Sequence, residues 1–275
     1  MVRGTSVPER ILTWSRLARQ HEDDEENSES ELSEIIARYC NLQTEIKSQM
    51  ADEDRVSILE KALDIDVELT DWAVNHQITN LYTTLNLTEP SEEVFSNHWH
   101  IYRDAGLATI SNYYRSTRIL INQMLIIHLG LLPDVSSTPD NLTVPFLMTC
   151  ADQVESSRQT IVELAHDICA SVPYFLGSSA LCPHTITRPA NIRARGKLML
   201  WPLYVAGQTE YVPNATRDWV VGRMDILADM AGLRKAQILA RMLRSGVRSR
   251  KVWREQVPEE AWYSKDVLRN ETHVV

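Results

Sequence analysis

The 275-residue chain reads as an all-α protein, an irregular helical bundle built around one long buried central helix. Three observations predict this. Apolar residues recur at alternating three- and four-residue steps through most of the chain, the phase of a helix with one buried face. No segment sustains the two-residue alternation of a half-buried strand. One stretch, Ile101 to Gly130, holds the helical phase without a proline and turns apolar nearly all round in its second half, as a helix with neighbours on several sides must.

Taken in order, residues 1–33 open with a short apolar patch (Ile11, Leu12, Trp14 and Leu17) and pass into the acidic run His21–Glu31. With no apolar residue to bury, that run is expected to be disordered, a solvated terminus or a protein-binding tail. Residues 34–250 form the expected helical domain, and 251–275 a tail. Leu32 to Gln49 carries Ile35, Ile36, Tyr39, Leu42 and Ile46 on one face. A second helix is expected from Asp54 to about Leu85, with Ile58, Ala62, Ile65, Leu69 and Trp72 in helical step. Glu89-Pro90-Ser91 breaks the chain, and Ser91 is a cap candidate for the turn that follows.

The central stretch stacks Leu107, Ile110, Tyr114, Thr117, Ile121, Met124 and His128 on one side. At about 1.5 Å per residue it would run roughly 45 Å, the width of a domain. Gly130 and the following Leu-Leu-Pro stop it. Cys150 to Val172 is the next expected helix, ended by Pro173 and Gly177. Residues 178–197 read as a loop, and 198–207 as a short buried apolar segment with a proline inside it. Thr216 is a candidate N-cap for a helix that stops at Gly232, and the closing helix carries Ile238, Leu239, Met242 and Leu243.

Composition limits what such a protein does. At 44% hydrophobic and 24% charged residues it has ordinary globular usage, and a net charge of −9 argues against the whole chain being a basic nucleic-acid clamp. Cys40, Cys150, Cys169 and Cys182 share no metal-ligand spacing and read as free thiols of a reducing compartment. The Arg-studded start has no apolar signal core and no apolar run reaches membrane-span length, so an intracellular soluble protein, neither secreted nor membrane-bound, is expected.

No constellation demands catalysis. On a helix, His98 and His100 point to different sides and would not chelate, so no metal site is expected there. Glu163, His166 and Cys169 share a helix face with Ile168 and Val172 and read as a core edge. Ser178-Ser179 lacks a nucleophile elbow, and no glycine-rich phosphate loop is present. Catalytic residues, cofactor ligands and metal ligands are therefore all expected to be absent. Arg115 and Arg118, one turn apart on the central helix, must snorkel or pair; structural ion pairs with Asp104 or with another helix's carboxylate are expected. Arg241, Arg244, Arg248, Arg250, Lys251 and Arg254 form the one basic cluster, a solvated helix face or a contact patch.

Four segments in succession, Asn112 to Ile119 (N-Y-Y-R-S-T-R-I), Ile168 to Gly177 (I-C-A-S-V-P-Y-F-L-G), Met199 to Ala206 (M-L-W-P-L-Y-V-A) and Gly232 to Ala236, resemble the C-terminal regulatory domain of fungal zinc-binuclear-cluster transcription factors. The resemblance covers roughly residues 55 to 245. It implies a nuclear regulatory protein that works through protein partners, such as a full-length regulator or the transcription machinery, or through a small-molecule effector. It also implies a setting beside secondary-metabolite genes. Members of that family carry six clustered cysteines that bind two zinc ions and dock on DNA. These 275 residues have four scattered ones, so the expectation is a short relative or a truncated chain without direct sequence-specific DNA binding. The alternative is a biosynthetic enzyme or small-molecule binder reusing the helical scaffold, with a pocket lined by Tyr113, Tyr114, His128, Trp201 and Tyr204. The absence of any assignable acid, base or nucleophile makes the regulatory reading the leading one.

Overall fold

The computed structural model describes residues 24–48, 55–131, 150–177 and 192–246. Among these are seven helices, α1 (Asp24–Ser48), α2 (Arg55–Asn75), α3 (Ala105–Leu129), α4 (Cys150–Leu176), α5 (Ile192–Gln208), α6 (Asn214–Ala231) and α7 (Arg234–Arg244), with a two-stranded sheet of β1 (Tyr82–Asn86) and β2 (His98–Tyr102). The all-α expectation holds. The chain divides into two compact units, one from residues 1–84 and 101–167 and the other from residues 85–100 and 168–275.

In the first unit α1 packs along α2 and α2 along α3. Helix α1 starts at Asp24, eight residues before the expected Leu32, so the end of the acidic run is helical rather than disordered. Acidic side chains suit a helix N-terminus because they face the positive end of its dipole. Tertiary contacts then fix it: Trp72 Nε1 donates to the Ser28 carbonyl at 3.0 Å, and His76 Nε2 lies 2.8 Å from Glu31 Oε2. Leu32, Ile35, Tyr39 and Leu42 are buried at steps of three and four.

Helix α2 buries Ile58, Leu59, Ala62, Ile65, Leu69 and Trp72 as its periodicity requires. It ends at Asn75, ten residues short of the expected Leu85. Gln77 takes a left-handed conformation (φ 47°), a short 3₁₀ turn spans Ile78–Asn80, and the chain enters β1. The sheet corrects the expectation of none. All of β1 beyond Tyr82 is exposed, so it carries no alternating apolar signal and only its pairing with β2 reveals it.

Helix α3 begins four residues after the expected start, because Ile101 and Tyr102 close β2. Asp104 caps it, its Oδ1 accepting from Leu107 N at 2.9 Å. Ile119, Leu120 and Ile121 are 0%, 3% and 0% exposed. Successive helical residues point about 100° apart, so three in a row without solvent means cover on nearly every side. Each contributes about 1.5–3 kcal/mol of apolar burial.

Two prolines lie inside helices rather than ending them. Pro173 sits within α4, which runs on to Leu176 before Gly177 (φ 75°) stops it, and Pro202 sits within α5, which starts at Ile192 and takes in the last residues, 192–197, of the expected loop. A proline removes one ladder hydrogen bond. Both prolines are buried, and the surrounding apolar contacts offset that loss. In the second unit α5, α6 and α7 pack on one another. A Cβ on Gly207 would stand 2.9 Å from both Leu243 Cδ1 and Val220 Cγ1, so only glycine lets these helices approach so closely. Helix α6 starts at Asn214 after Pro213, and Thr216, the expected cap, is buried in its first turn. Arg217 instead closes the end of α5, with Nε on the Gly207 carbonyl and Nη2 on the Thr209 carbonyl, both at 3.0 Å. Gly232 (φ 61°) ends α6 in the left-handed conformation. The loop between the strands is held within the same unit, Trp219 Nε1 donating to the Glu92 carbonyl at 2.9 Å and Phe95 meeting the Trp219 ring edge-on.

Two outcomes follow. Leu120→Asp or Ile121→Asp strands a carboxylate in the core at a cost of several kcal/mol, so the helical circular dichroism signal and the cooperative melt are lost. The Asp104 cap is pH-dependent. The Leu107 N–H lowers its carboxyl below the ordinary aspartate range, so its contribution is present above the unfolded value and lost as pH falls through the lowered one. Asp104→Ala therefore destabilises by about 1 kcal/mol at pH 7, and the gap in melting temperature from the parent closes as the pH is taken below about 4.

Candidate functional site

The polar residues singled out on α3 form two groups, both in the first unit. The first centres on Arg118. Its Nε lies 3.1 Å from Asp66 Oδ1 on α2, and its Nη1 donates to the Tyr114 hydroxyl at 2.9 Å. Asn122 Nδ2 donates to the same Asp66 oxygen at 2.7 Å and to the Arg118 carbonyl at 2.9 Å. Burial disfavours the charge on Arg118, but Asp66 and Tyr114 outweigh it and hold the guanidinium protonated. The Tyr114 ring lies 5.6 Å from that of Trp72, and Trp72 lies 5.3 Å from His76, which meets Glu31. A continuous polar and aromatic chain thus links α3, α2 and α1.

The second group surrounds Arg115, which is 1% exposed. Its Nη1 donates to the Tyr102 hydroxyl at 2.6 Å and to Asn112 Oδ1 at 3.1 Å, its Nε stands 3.6 Å from Asp167 Oδ2, and its guanidinium carbon lies 5.0 Å from the Tyr82 ring centre. Asn112 and Arg115 are three residues apart and meet on one face of α3. Tyr102 and Tyr82 come from the two strands, their rings 5.4 Å apart. Burial works against the charge on Arg115; Tyr102, Asp167 and Tyr82 outweigh it, and the net direction is upward. Burial likewise pushes the Tyr102 phenol up, with Arg115 opposing. Asp104, one of the expected partners of these arginines, is instead engaged as the α3 cap and with Arg103 Nε at 3.3 Å.

The expected pocket is not assembled within either unit. Tyr113, Tyr114 and His128 belong to the first, and Trp201 and Tyr204 to the second. Tyr113 is 37% exposed while its neighbour Tyr114 is buried, because adjacent helical residues point in different directions. His128 is half-buried, and burial together with Arg55 holds its pKa below the ordinary histidine value, so it is neutral at pH 7. In the second unit Trp201 and Tyr204 lie side by side on α5, ring centres 6.0 Å apart. Tyr204 is buried, its hydroxyl has no hydrogen-bond partner among the described residues, and its pKa is pushed up to about 12 by burial.

His98 and His100 lie on β2, not on a helix. Residues two apart on a strand share a face, and the two rings are 6.3 Å apart, opposite to the expected divergence. Among the described residues no group of three or more His, Cys, Asp or Glu side chains is placed to hold a metal ion. Glu163 is exposed and accepts from Gln159 Nε2 at 2.8 Å, while Cys169 is fully buried and its thiol is raised by burial, which keeps it protonated. Of the basic cluster, Arg241 is exposed on α7 and Arg244 pairs with Asp225 of α6; Arg248, Arg250, Lys251 and Arg254 lie outside the described residues.

Sequence reasoning missed the partners Asp66, Tyr82, Tyr102 and Asp167. Asp66 had a usable signal, a carboxylate between Ile65 and Val67 on an amphipathic helix. The two tyrosines had none, because their strands carried no periodicity. No family model, no curated protein and no solved structure matches the chain.

The Arg118–Asp66 pair gives a direct test. Both side chains are mostly buried, so removing one partner leaves the other desolvated and unpaired. Arg118→Ala and Asp66→Ala each cost about 3 kcal/mol in urea unfolding, and the double variant costs clearly less than their sum. Additive costs would show that the pair does not couple the helices.

Proposed function

We propose that this chain is a transcription-factor-like regulatory protein that works through protein or effector contacts rather than through DNA contacts of its own. The observation that carries the reading is what the motif residues do. Arg118 joins α3 to α2 through Asp66, Pro173 and Pro202 sit buried within helices, and Gly232 supplies the left-handed turn between α6 and α7. Each maintains helix packing, so the residues that carry the resemblance to fungal zinc-cluster regulators serve a scaffold. A regulatory domain needs a rigid helical body with a surface to present; a reaction needs convergent polar groups open to a substrate. The largest convergent sets, around Arg115 and Arg118, turn most of their polar atoms on one another, Arg115 Nη2 being buried without a hydrogen-bond partner among the described residues. Within these 275 residues no six-cysteine cluster is present, and a nuclear site of action is part of the same proposal.

The test joins the full chain to an unrelated DNA-binding domain and reads a reporter carrying that domain's operator, with the Leu120→Asp variant as the unfolded control. The expected result is a change in reporter output of about tenfold that the control lacks. The purified chain alone is expected to show no salt-resistant, sequence-selective shift of duplex DNA at nanomolar concentration. A silent reporter, or such a DNA shift, overturns the proposal.

A further inference from the structure

Helix α7 is sharply two-sided. Leu233 just before it and Ala236, Leu239, Ala240 and Leu243 within it are buried. The opposite face carries Arg234, Lys235 and Arg241, all exposed, with Ile238 and Met242 half-buried between them. Arg244 is neutralised by Asp225. For Arg234, Lys235 and Arg241 no ion pair exists among the described residues. From Leu233 to Arg254 the sequence holds eight Lys or Arg and no Asp or Glu, in a chain whose net charge is −9. The compensating excess is equally concentrated. Residues 22–31 hold seven Asp or Glu and no Lys or Arg, and the apolar patch of Ile11, Leu12, Trp14 and Leu17 precedes them.

We propose that the exposed face of α7 is a docking surface for the acidic N-terminal segment, residues 11–29, of a second copy of this chain, Glu31 being held by His76 within its own unit. Two complementarities support the match. The cations of α7 meet the acidic run, and the half-exposed Ile238 and Met242 give the neighbouring apolar patch something to cover, so the contact is not charge alone. Surface ion pairs taken singly contribute little. A two-fold dimer makes the same contact twice with every pair duplicated, and the separation of opposite charges near the two ends of the chain serves such a reciprocal arrangement. A phosphate polyanion would use the arginines and lysine but not the two apolar side chains between them, so an acidic polypeptide fits better. The inference stands apart from the regulatory reading, since an enzyme could dimerise in the same way.

Sedimentation velocity on the full chain tests it. The parent is expected to dimerise at low salt and to lose at least about tenfold in affinity between 50 and 500 mM NaCl, as the Debye length shrinks severalfold. Arg234→Glu/Lys235→Glu/Arg241→Glu changes only exposed side chains and is expected to keep the parent's circular dichroism while sedimenting as a monomer. Glu22→Lys/Glu29→Lys, one position ahead of α1 and one exposed position beyond its first turn, is expected to do the same. An equimolar mixture of the two variants is expected to restore the dimer, because each then offers the charge that the other lacks. A parent that is monomeric at every salt concentration overturns the proposal, as does a dimer untouched by either variant or a mixture that stays monomeric. Loss of heparin binding in the α7 variant with no change in association state would assign the face to polyanions and likewise overturn it. Because the readout is association state, a silent reporter in the regulatory test leaves this result standing, and the reverse.

Discussion

Helix α3 is buried on nearly every side, yet it carries two arginines in its middle, and the first unit is organised by the need to satisfy them. An uncompensated guanidinium in such a place costs several kcal/mol. Arg118 resolves this with a carboxylate from the neighbouring helix, reinforced by Asn122 and Tyr114. Arg115 is held by phenols from both strands, an amide one turn back and a carboxylate at 3.6 Å, with Nη2 buried and without a hydrogen-bond partner among the described residues. These solutions fix register as well as charge. Sliding α2 by one turn against α3 would carry Asp66 about 5 Å from Arg118, whereas an apolar contact of the same area would tolerate the slip more readily.

The same demand explains the short sheet in a helical protein. Helix α2 stops at Asn75 and β1 follows, which places Tyr82 beside Tyr102 and both against Arg115. Continuing α2 to Leu85 would have turned Tyr82 into a helical residue. The strands are poor by hydrophobic standards, with β1 mostly exposed, and contacts of their aromatic side chains supplement the ladder. Glycine and proline play the corresponding part in the second unit. Gly207 allows the close approach of Val220 and Leu243, and two buried prolines persist where local chemistry would end a helix. There packing outweighs the lost hydrogen bond.

Charge is unevenly placed along the chain. In the sequence, acids gather ahead of and within the start of α1, and Lys and Arg gather on α7 and in the segment after it. Arg115 and Arg118 are enclosed by specific partners inside the first unit, whereas Arg234, Lys235 and Arg241 lie on an exposed face with two half-covered apolar side chains among them. Enclosed pairs hold a fold together. A stripe of one sign, by contrast, is available to another molecule, and on α7 it lies opposite the buried face that packs the helix into its unit.

The sequence by itself determined the helical class, the buried faces of α2 and α3, the stop at Gly232 and the need of Arg115 and Arg118 for partners. Each is a property of residues within a few turns of one another, so the phase of apolar residues or the geometry of a single glycine carries it. Tertiary structure alone decided which partners those arginines found, since Asp66 and Arg118 are 52 residues apart. It also decided that residues 82–86 and 98–102 pair as strands, that α1 begins at Asp24, that helices continue through Pro173 and Pro202, and that the five aromatic and histidine side chains expected to share a pocket divide between two units. In each instance local preferences were weak or opposed, and the outcome rested on contacts with residues distant in sequence.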